Sequence, residues 1–522
     1  MVRARESQGK RRVVIAVSAI ACLALVEGAT FSYMLPGLIT DLKLQGNVTL
    51  IRIMPSLGAL LVVFLAGALG SRWGHRRTMT VAAACYVVGA AVTATATGLP
   101  TVLLGVFLAD VGRSILFVCG IALLGLSMEG KDQRASAFAT YSAILPVTFL
   151  TMPIIAGWLI DEFGWRSVAV AWLVAGVAAL VVVRKGIPRA DAMAPRAELI
   201  TPALAGLFLV CLVQGINTLG RDGPGVVLLI SGAIAVAALT VLIVAMRRIA
   251  HPTLSLAILR SGGVLILLTV IVLANFANLW FYLTLAFQQV FHLTTLQSAL
   301  WALPAQAITI LAAAASGWLV RSRSIRFAGT LFLVAAALTL VLSATLRPTT
   351  PLWLIALTLA LFAAASTGAS VPITNAVMDA APRDEANQAS SFRSAATGVG
   401  GAISVTLTTA LVFGTMVRDL VGSATSAGIA PDVAAEVVAQ LERGAELQQI
   451  ADAASRSSVV VTVDDVDAAI GAAYMNGLAA HGMVGAGVVL LVAVVFFYAA
   501  GRQARAAQAA RTHDPVVGCP KD

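Results

Sequence analysis

Charge is scarce in this chain of 522 residues, where 35 Lys and Arg and 25 Asp and Glu amount to 11%. So small a charged fraction cannot coat a soluble domain of this size with solvated groups. Cysteine is equally thin: Cys22, Cys85, Cys119, Cys211 and Cys519 lie scattered in apolar stretches or the tail, without spacing for disulfides or a structural metal. The five histidines form no ligand pair at helical spacing, and no constellation for nucleophilic catalysis is present. "GLSMEGKD", residues 125–132, imitates a phosphate-binding loop up to its lysine, but Asp132 stands where Ser or Thr belongs and no strand precedes it. The chain is therefore expected to be no enzyme and to carry no cofactor and no metal.

Apolar residues are plentiful, at 59% of the chain, with a mean hydropathy of +0.92. A membrane-spanning helix takes about 20 mostly apolar residues. Such runs lie near 14–37, 48–70, 78–98, 101–127, 136–160, 166–184, 199–219, 225–246, 262–290, 296–320, 327–346, 351–378, 394–416 and 479–500. They predict an all-α membrane protein of 14 spans. The first run exceeds the apolar core of a signal peptide, contains Glu27 and is followed by many more spans, so it reads as an uncleaved helix.

The polar breaks alternate in charge. With the basic N-terminus "MVRARESQGKRR" inside, inner breaks such as "SRWGHRR", "VRKGIPRADAMAPRAE" and "VRSRSIRF" hold most of the Lys and Arg, while outer breaks such as "TGLP" and "LRPTTP" hold few. The positive-inside rule then places both termini in the cytoplasm of a multi-pass protein of the inner, or plasma, membrane. The net charge of +10 is read as this topology signal, so no nucleic acid partner is expected.

One break carries more than charge. "GALGSRWGHR", Gly67 to Arg76, and "GWLVRSRSIR", Gly317 to Arg326, share Gly-x-Leu with a basic residue nine after the glycine. Such a recurrence suits a transporter built from internal repeats. The first copy resembles the signature loop between the second and third helices of the major facilitator superfamily, with Gly67, Leu69, Arg72, Gly74, Arg76 and Arg77 in place. The acidic position of that pattern is Ser71 here. "VEGATFSYMLP", "DEFGWRSV" and "YLTLAFQQVFHLTTLQSALWALP" resemble the first, sixth, and ninth to tenth helices of the fourteen-helix drug:proton antiporter branch. Departures mark a divergent member: "RSILF" keeps Arg113 of the fourth-helix motif, and "TMPIIAG" keeps only Pro153, Ala156 and Gly157 of the fifth.

The resemblance implies a six-helix bundle over 14–185, two additional central helices over 199–246 and a second bundle over 262–500. Cytoplasmic ends at 1–13 and 501–522 and an extracellular loop at 417–478 complete the expected division. It implies export of hydrophobic or cationic toxic compounds in exchange for protons, by alternating access. Export of one endogenous metabolite or lipid, and a transport-inactive receptor or assembly partner, are the alternatives.

Candidate site residues follow from burial and from the resemblance, which implies the gate role of the signature loop and the coupling role of Arg113. Glu27 stands about 20 Å along its helix from Val14 at 1.5 Å per residue. A charge at that depth costs about 2.5–3.5 kcal/mol on insertion scales, so such residues mark ion or substrate paths. Asp110 and Arg113 share a helix face and can pair. These three are the expected proton-coupling groups, and Glu27 is also assigned to the substrate cavity. Asn275, Asn278 and Tyr282, at helical spacing on the ninth span, and Gln288 are the other cavity candidates. Gly67, Arg72, Gly74, Arg76, Arg77 and Arg326 are expected at the cytoplasmic gate. Pro146 and Pro153, two turns apart, are expected to bend the fifth helix on one side. Arg52, close to an outer helix end, reads as a snorkelling side chain.

Overall fold

A computed structural model of the chain describes residues 2–126, 131–188, 198–222, 225–249, 262–380, 386–426 and 462–513. Every regular element among the described residues is helical. In hydrocarbon no water is available to the backbone, and a helix satisfies each amide and carbonyl within its own segment. The first half of the chain contributes α1 (Val2–Asp41), α2 (Val48–Val62), α3 (Leu65–Trp73), α4 (His75–Ala94), α5 (Leu99–Leu126), α6 (Lys131–Phe163) and α7 (Arg166–Gly186). Two further helices follow, α8 (Ile200–Asp222) and α9 (Val226–Arg248). The second half contributes α10 (Gly262–Ala274), α11 (Trp280–Gln289), α12 (Thr295–Ser322), α13 (Ile325–Ser343), α14 (Leu352–Ala380), α15 (Ala386–Ser426) and α16 (Val463–His513).

Among the described residues 11 helices are long and apolar enough to cross a membrane, and α2 with α3, bent by 47° at their junction, make a twelfth if counted as one. The two remaining apolar runs of the sequence fall on α6 and on the broken stretch α10–α11. That break has a local cause. Asn275 turns its amide back to the Ile271 carbonyl at 2.8 Å, a 3₁₀ turn spans Asn275–Ala277, and extended Asn278 accepts the Trp280 amide at 3.0 Å. Short amide side chains compete with the helical ladder in this way.

The flanks of the expected loop 417–478 continue the neighbouring helices. α15 continues to Ser426 and α16 starts at Val463, so both flanks of that interval are helical, and 427–461 lie outside the described residues. The polar ends are likewise helical, from Val2 and as far as His513. Hydropathy locates the edge of the apolar layer, whereas a helix continues through it into polar sequence.

Packing places α1 at the centre and α9 at the rim. The apolar window of α1 is 67% buried and that of α9 only 22%, its valines and leucines facing outward as the lipid solvent allows. α1 packs on α5, α6 and α7; α4 lies on α5 and α7, and α2 on α5. In the second half α12 packs on α14, α13 on α14 and α16, and α15 on α16. The halves meet through α6 on α12 and α2 on α15, while α8 packs on α9, α2 and α15.

Candidate coupling and substrate site

The three expected coupling residues converge. Arg113 on α5 donates through Nε to Asp110 Oδ1 at 2.9 Å, pairs through Nη2 with the same oxygen, and holds Nε 2.5 Å from Glu27 Oε2 on α1. Glu27 is 1% exposed, Asp110 0% and Arg113 19%. Ser114 Oγ donates to the other Asp110 oxygen at 3.4 Å. One guanidinium therefore serves two buried carboxylates, and the fully ionised group carries one negative charge in excess.

Two features that sequence reasoning overlooked hold this group in place. Thr30, one turn after Glu27, accepts the Trp172 indole N–H at 2.8 Å and donates to the Val26 carbonyl at 2.7 Å, tying that turn of α1 to α7. Gly58 lets α2 close on α5: a Cβ there would stand 2.9 Å from Asp110 Oδ2 and 3.1 Å from the Phe107 carbonyl. In sequence Gly58 is one glycine among 44 and carries no signal of its own.

The cavity candidates separate. The face expected to join Asn275, Asn278 and Tyr282 does not form, because the helix breaks between them. Asn275 is half-buried and spent on its own backbone, and Asn278 is exposed. Gln288 is half-buried near the end of α11. Tyr282 is buried and joins a second cluster: its hydroxyl accepts from Arg52 at 2.8 Å and lies 2.8 Å from Thr409 Oγ1, and its carbonyl accepts from the Tyr474 hydroxyl at 2.7 Å. Arg52 does not snorkel outward. Its guanidinium carbon lies 3.6 Å from the Phe281 ring centroid, because aromatic faces offered by α11 hold a cation closer than the membrane surface would.

The signature loop is explained by its glycine. α3 ends at Trp73 and α4 starts at His75, and the single residue between them, Gly74, adopts φ 81°, a conformation that side chains disfavour. Ser71 donates to the Gly67 carbonyl at 3.1 Å, Arg76 donates to the Arg184 carbonyl at 2.5 Å, and Arg72 and Arg77 are exposed. Arg72 forms no ion pair among the described residues, so the loop is fastened to α7 through a carbonyl instead of an acid. Nothing stands within 4 Å of a Cβ placed at Gly67. In the second copy Arg326 lies 3.4 Å over the Phe497 ring of α16, and the turn is made by Ser324, whose hydroxyl caps α13. The matching spacings thus close by different turn chemistry.

Pro153 lies within α6, and the side chain of Pro146 falls outside the described residues. On the opposite face of the fold, Asp161 at the end of α6 accepts the backbone N–H groups of Thr295 and Leu296 at 3.0 Å each, clasping the start of α12. The "GWR" stretch acts nearby: Gly164 turns the chain at φ 76°, Trp165 donates to Asp41 at 3.0 Å and Arg166 pairs with it at 2.7 Å.

Comparison with known proteins agrees with this architecture. The chain is 29% identical over 126 residues to the drug efflux pump JefA of Mycobacterium tuberculosis, covering 23% of this chain and 25% of that one. It is 25% identical over 276 residues to the Major facilitator superfamily multidrug transporter mfsC of Aspergillus fumigatus, covering 51% of each. These matches span a quarter to a half of the relatives' length. The fold resembles the POT family transporter PepTSo, with a TM-score of 0.59 at 15% identity over 96% of this chain and 98% of that one. The profile of the Major Facilitator Superfamily matches residues 17–405, and the chain, a multi-pass membrane protein, belongs to that family.

Proposed function

We propose that the chain exports hydrophobic small molecules in exchange for protons, by alternating access of two six-helix bundles with α8 and α9 as additional spans, 14 in all, in the inner or plasma membrane with both ends cytoplasmic. The observation that carries this reading is the Glu27–Arg113–Asp110 group. Its excess negative charge, buried between α1 and α5, is neutralised by one proton. With Glu27 protonated, Arg113 is left to Asp110 alone; with Glu27 ionised, Arg113 draws α1 and α5 together. A proton thus alters a contact between two central helices, which is what coupling requires. Drug-efflux relatives lend the export direction. Glu27 and Asp110 are the only fully buried acids among the described residues, and both are engaged by Arg113, so the hydrophobic rather than the cationic part of the expected substrate range is the better supported.

The test is a toxic-compound panel in an efflux-deficient host carrying the native chain, the Glu27→Gln variant or neither. Protection by the native chain alone, at equal membrane abundance, is the expected result. Equal protection by Glu27→Gln would remove the proposed coupling group, and no protection by either would favour a metabolite exporter or a receptor.

A further inference from the structure

The cluster around Arg52 is not used by the coupling group. Its parts come from four helices: Arg52 on α2, Phe281 and Tyr282 on α11, Thr409 on α15, and His481 on α16. Arg52 forms no ion pair with any acid among the described residues. Its one hydrogen bond among the described residues runs from Nη1 to the Tyr282 hydroxyl, and its guanidinium carbon lies 3.6 Å and 4.7 Å from the Phe281 and Tyr282 ring centroids. A guanidinium has five N–H donors, so most of them have no protein acceptor here. On another side of Tyr282, with ring centroids 5.9 Å apart, His481 is 0% exposed and neither of its ring nitrogens has a hydrogen-bond partner among the described residues.

A half-buried cation without a counter-ion, beside a buried imidazole without a partner, is an expensive combination in an apolar setting. Aromatic faces offset part of the cost but supply no acceptor oxygen. The flat donor fork of Arg suits a carboxylate or a phosphate and is poorly used without one. The cluster also joins α2 of the first half to α11, α15 and α16 of the second, where a molecule carried between the halves would meet both.

We propose that Arg52, with His481 and the Tyr282 and Thr409 hydroxyls, forms a subsite for an anionic oxygen group, a carboxylate being the simplest, on an otherwise aromatic or apolar substrate. Phe281 and Tyr282 would pack against its apolar body. The subsite deepens the transport reading above and rests on it for calling the bound molecule a substrate.

The experiment measures equilibrium binding to the purified full chain in detergent, without any gradient, using two probes on one ring system: anionic fluorescein and a cationic rhodamine ethyl ester. Native protein is expected to favour fluorescein by about tenfold or more, the scale of one charge-assisted hydrogen bond. Arg52→Gln should abolish that preference and leave rhodamine binding within about twofold. Arg52→Lys, which keeps a charge but loses the fork, should retain part of it. Equal binding of the two dyes by native protein, or an unchanged preference in Arg52→Gln that melts like native, overturns the proposal. Should Arg52→Gln not survive purification, the native preference and its reduction in Arg52→Lys decide. Since no proton gradient is present, failure of proton coupling would leave the dye preference intact, and loss of the preference would leave coupling untouched.

Discussion

Arg113→Ala separates the two jobs of this arginine. The substitution leaves Glu27 and Asp110, 1% and 0% exposed, without the cation that lies 2.5 Å and 2.9 Å from their oxygens. Removing one partner of a buried pair costs about 3–5 kcal/mol, because the remaining charge is uncompensated. Removing Asp110 as well leaves a single acid, Glu27, which one proton neutralises. Arg113→Ala with Asp110→Ala is therefore expected to be more stable than Arg113→Ala alone by about 3 kcal/mol. Transport should not follow stability. Both variants lack the cation proposed to respond to the Glu27 proton, so both should be inactive in uphill export. Thermal melting in one detergent gives the first comparison, and export from everted vesicles at matched protein content gives the second. Equal melting of the two variants would refute the energetic coupling, and recovered export in the double variant would reduce Arg113 to a static counter-ion for Asp110.

Three further tests address the surroundings. Thr30→Val strands the buried Trp172 indole N–H and should cost about 1–3 kcal/mol in melting, with recovery when Trp172→Phe is added; no recovery would discount the bond. Gly58→Ala should lower stability by about 1–3 kcal/mol and reduce transport, because the new methyl meets Asp110 and Phe107, whereas Gly67→Ala, in open space, should do neither. Equal behaviour of the two variants would discount the close approach of α2. Asp161→Asn weakens the clasp on the α12 N-terminus, an effect of about 0.3–1 kcal/mol for an exposed helix-end charge, so conformers with α6 and α12 apart should rise severalfold at most. Spin-label distances between positions 162 and 297 report that change, and an unaltered distribution contradicts it.

The parts of this molecule that were legible in sequence are those where lipid makes an error costly. An acid inside an apolar run has few places to go, so Glu27, Asp110 and Arg113 stood out in sequence; the spacing of Asp110 and Arg113 anticipated their pairing, whereas the contact of Glu27 with Arg113, between helices far apart in the chain, was not legible. Gly74 was legible only through the signature pattern; the physical reason, a one-residue connection between helices that needs a conformation glycine adopts freely, comes from the structure. Asn275 and Asn278 misled because helical spacing assumes an unbroken helix, and their own side chains interrupt it. Arg52 misled because distance from a helix end says nothing about an aromatic pair 229 and 230 positions onward in the chain. The ends of α15 and α16 were hidden for a different reason: hydropathy follows the membrane boundary, and helix continuation does not depend on it.

The central claim is that the Glu27–Arg113–Asp110 group exchanges one proton for one exported molecule. Purified protein in liposomes, with a pH dye inside and a gradient of a transported dye imposed from the other side, measures it directly. Movement of one charge across 100 mV is worth about 2.3 kcal/mol, so at that potential a single coupled proton should sustain roughly a fiftyfold gradient of an uncharged substrate. Native protein is expected to move protons opposite to the dye, and Glu27→Gln to move dye without protons. Dye flux through native protein with no proton movement, or equal proton movement through Glu27→Gln, would contradict the claim.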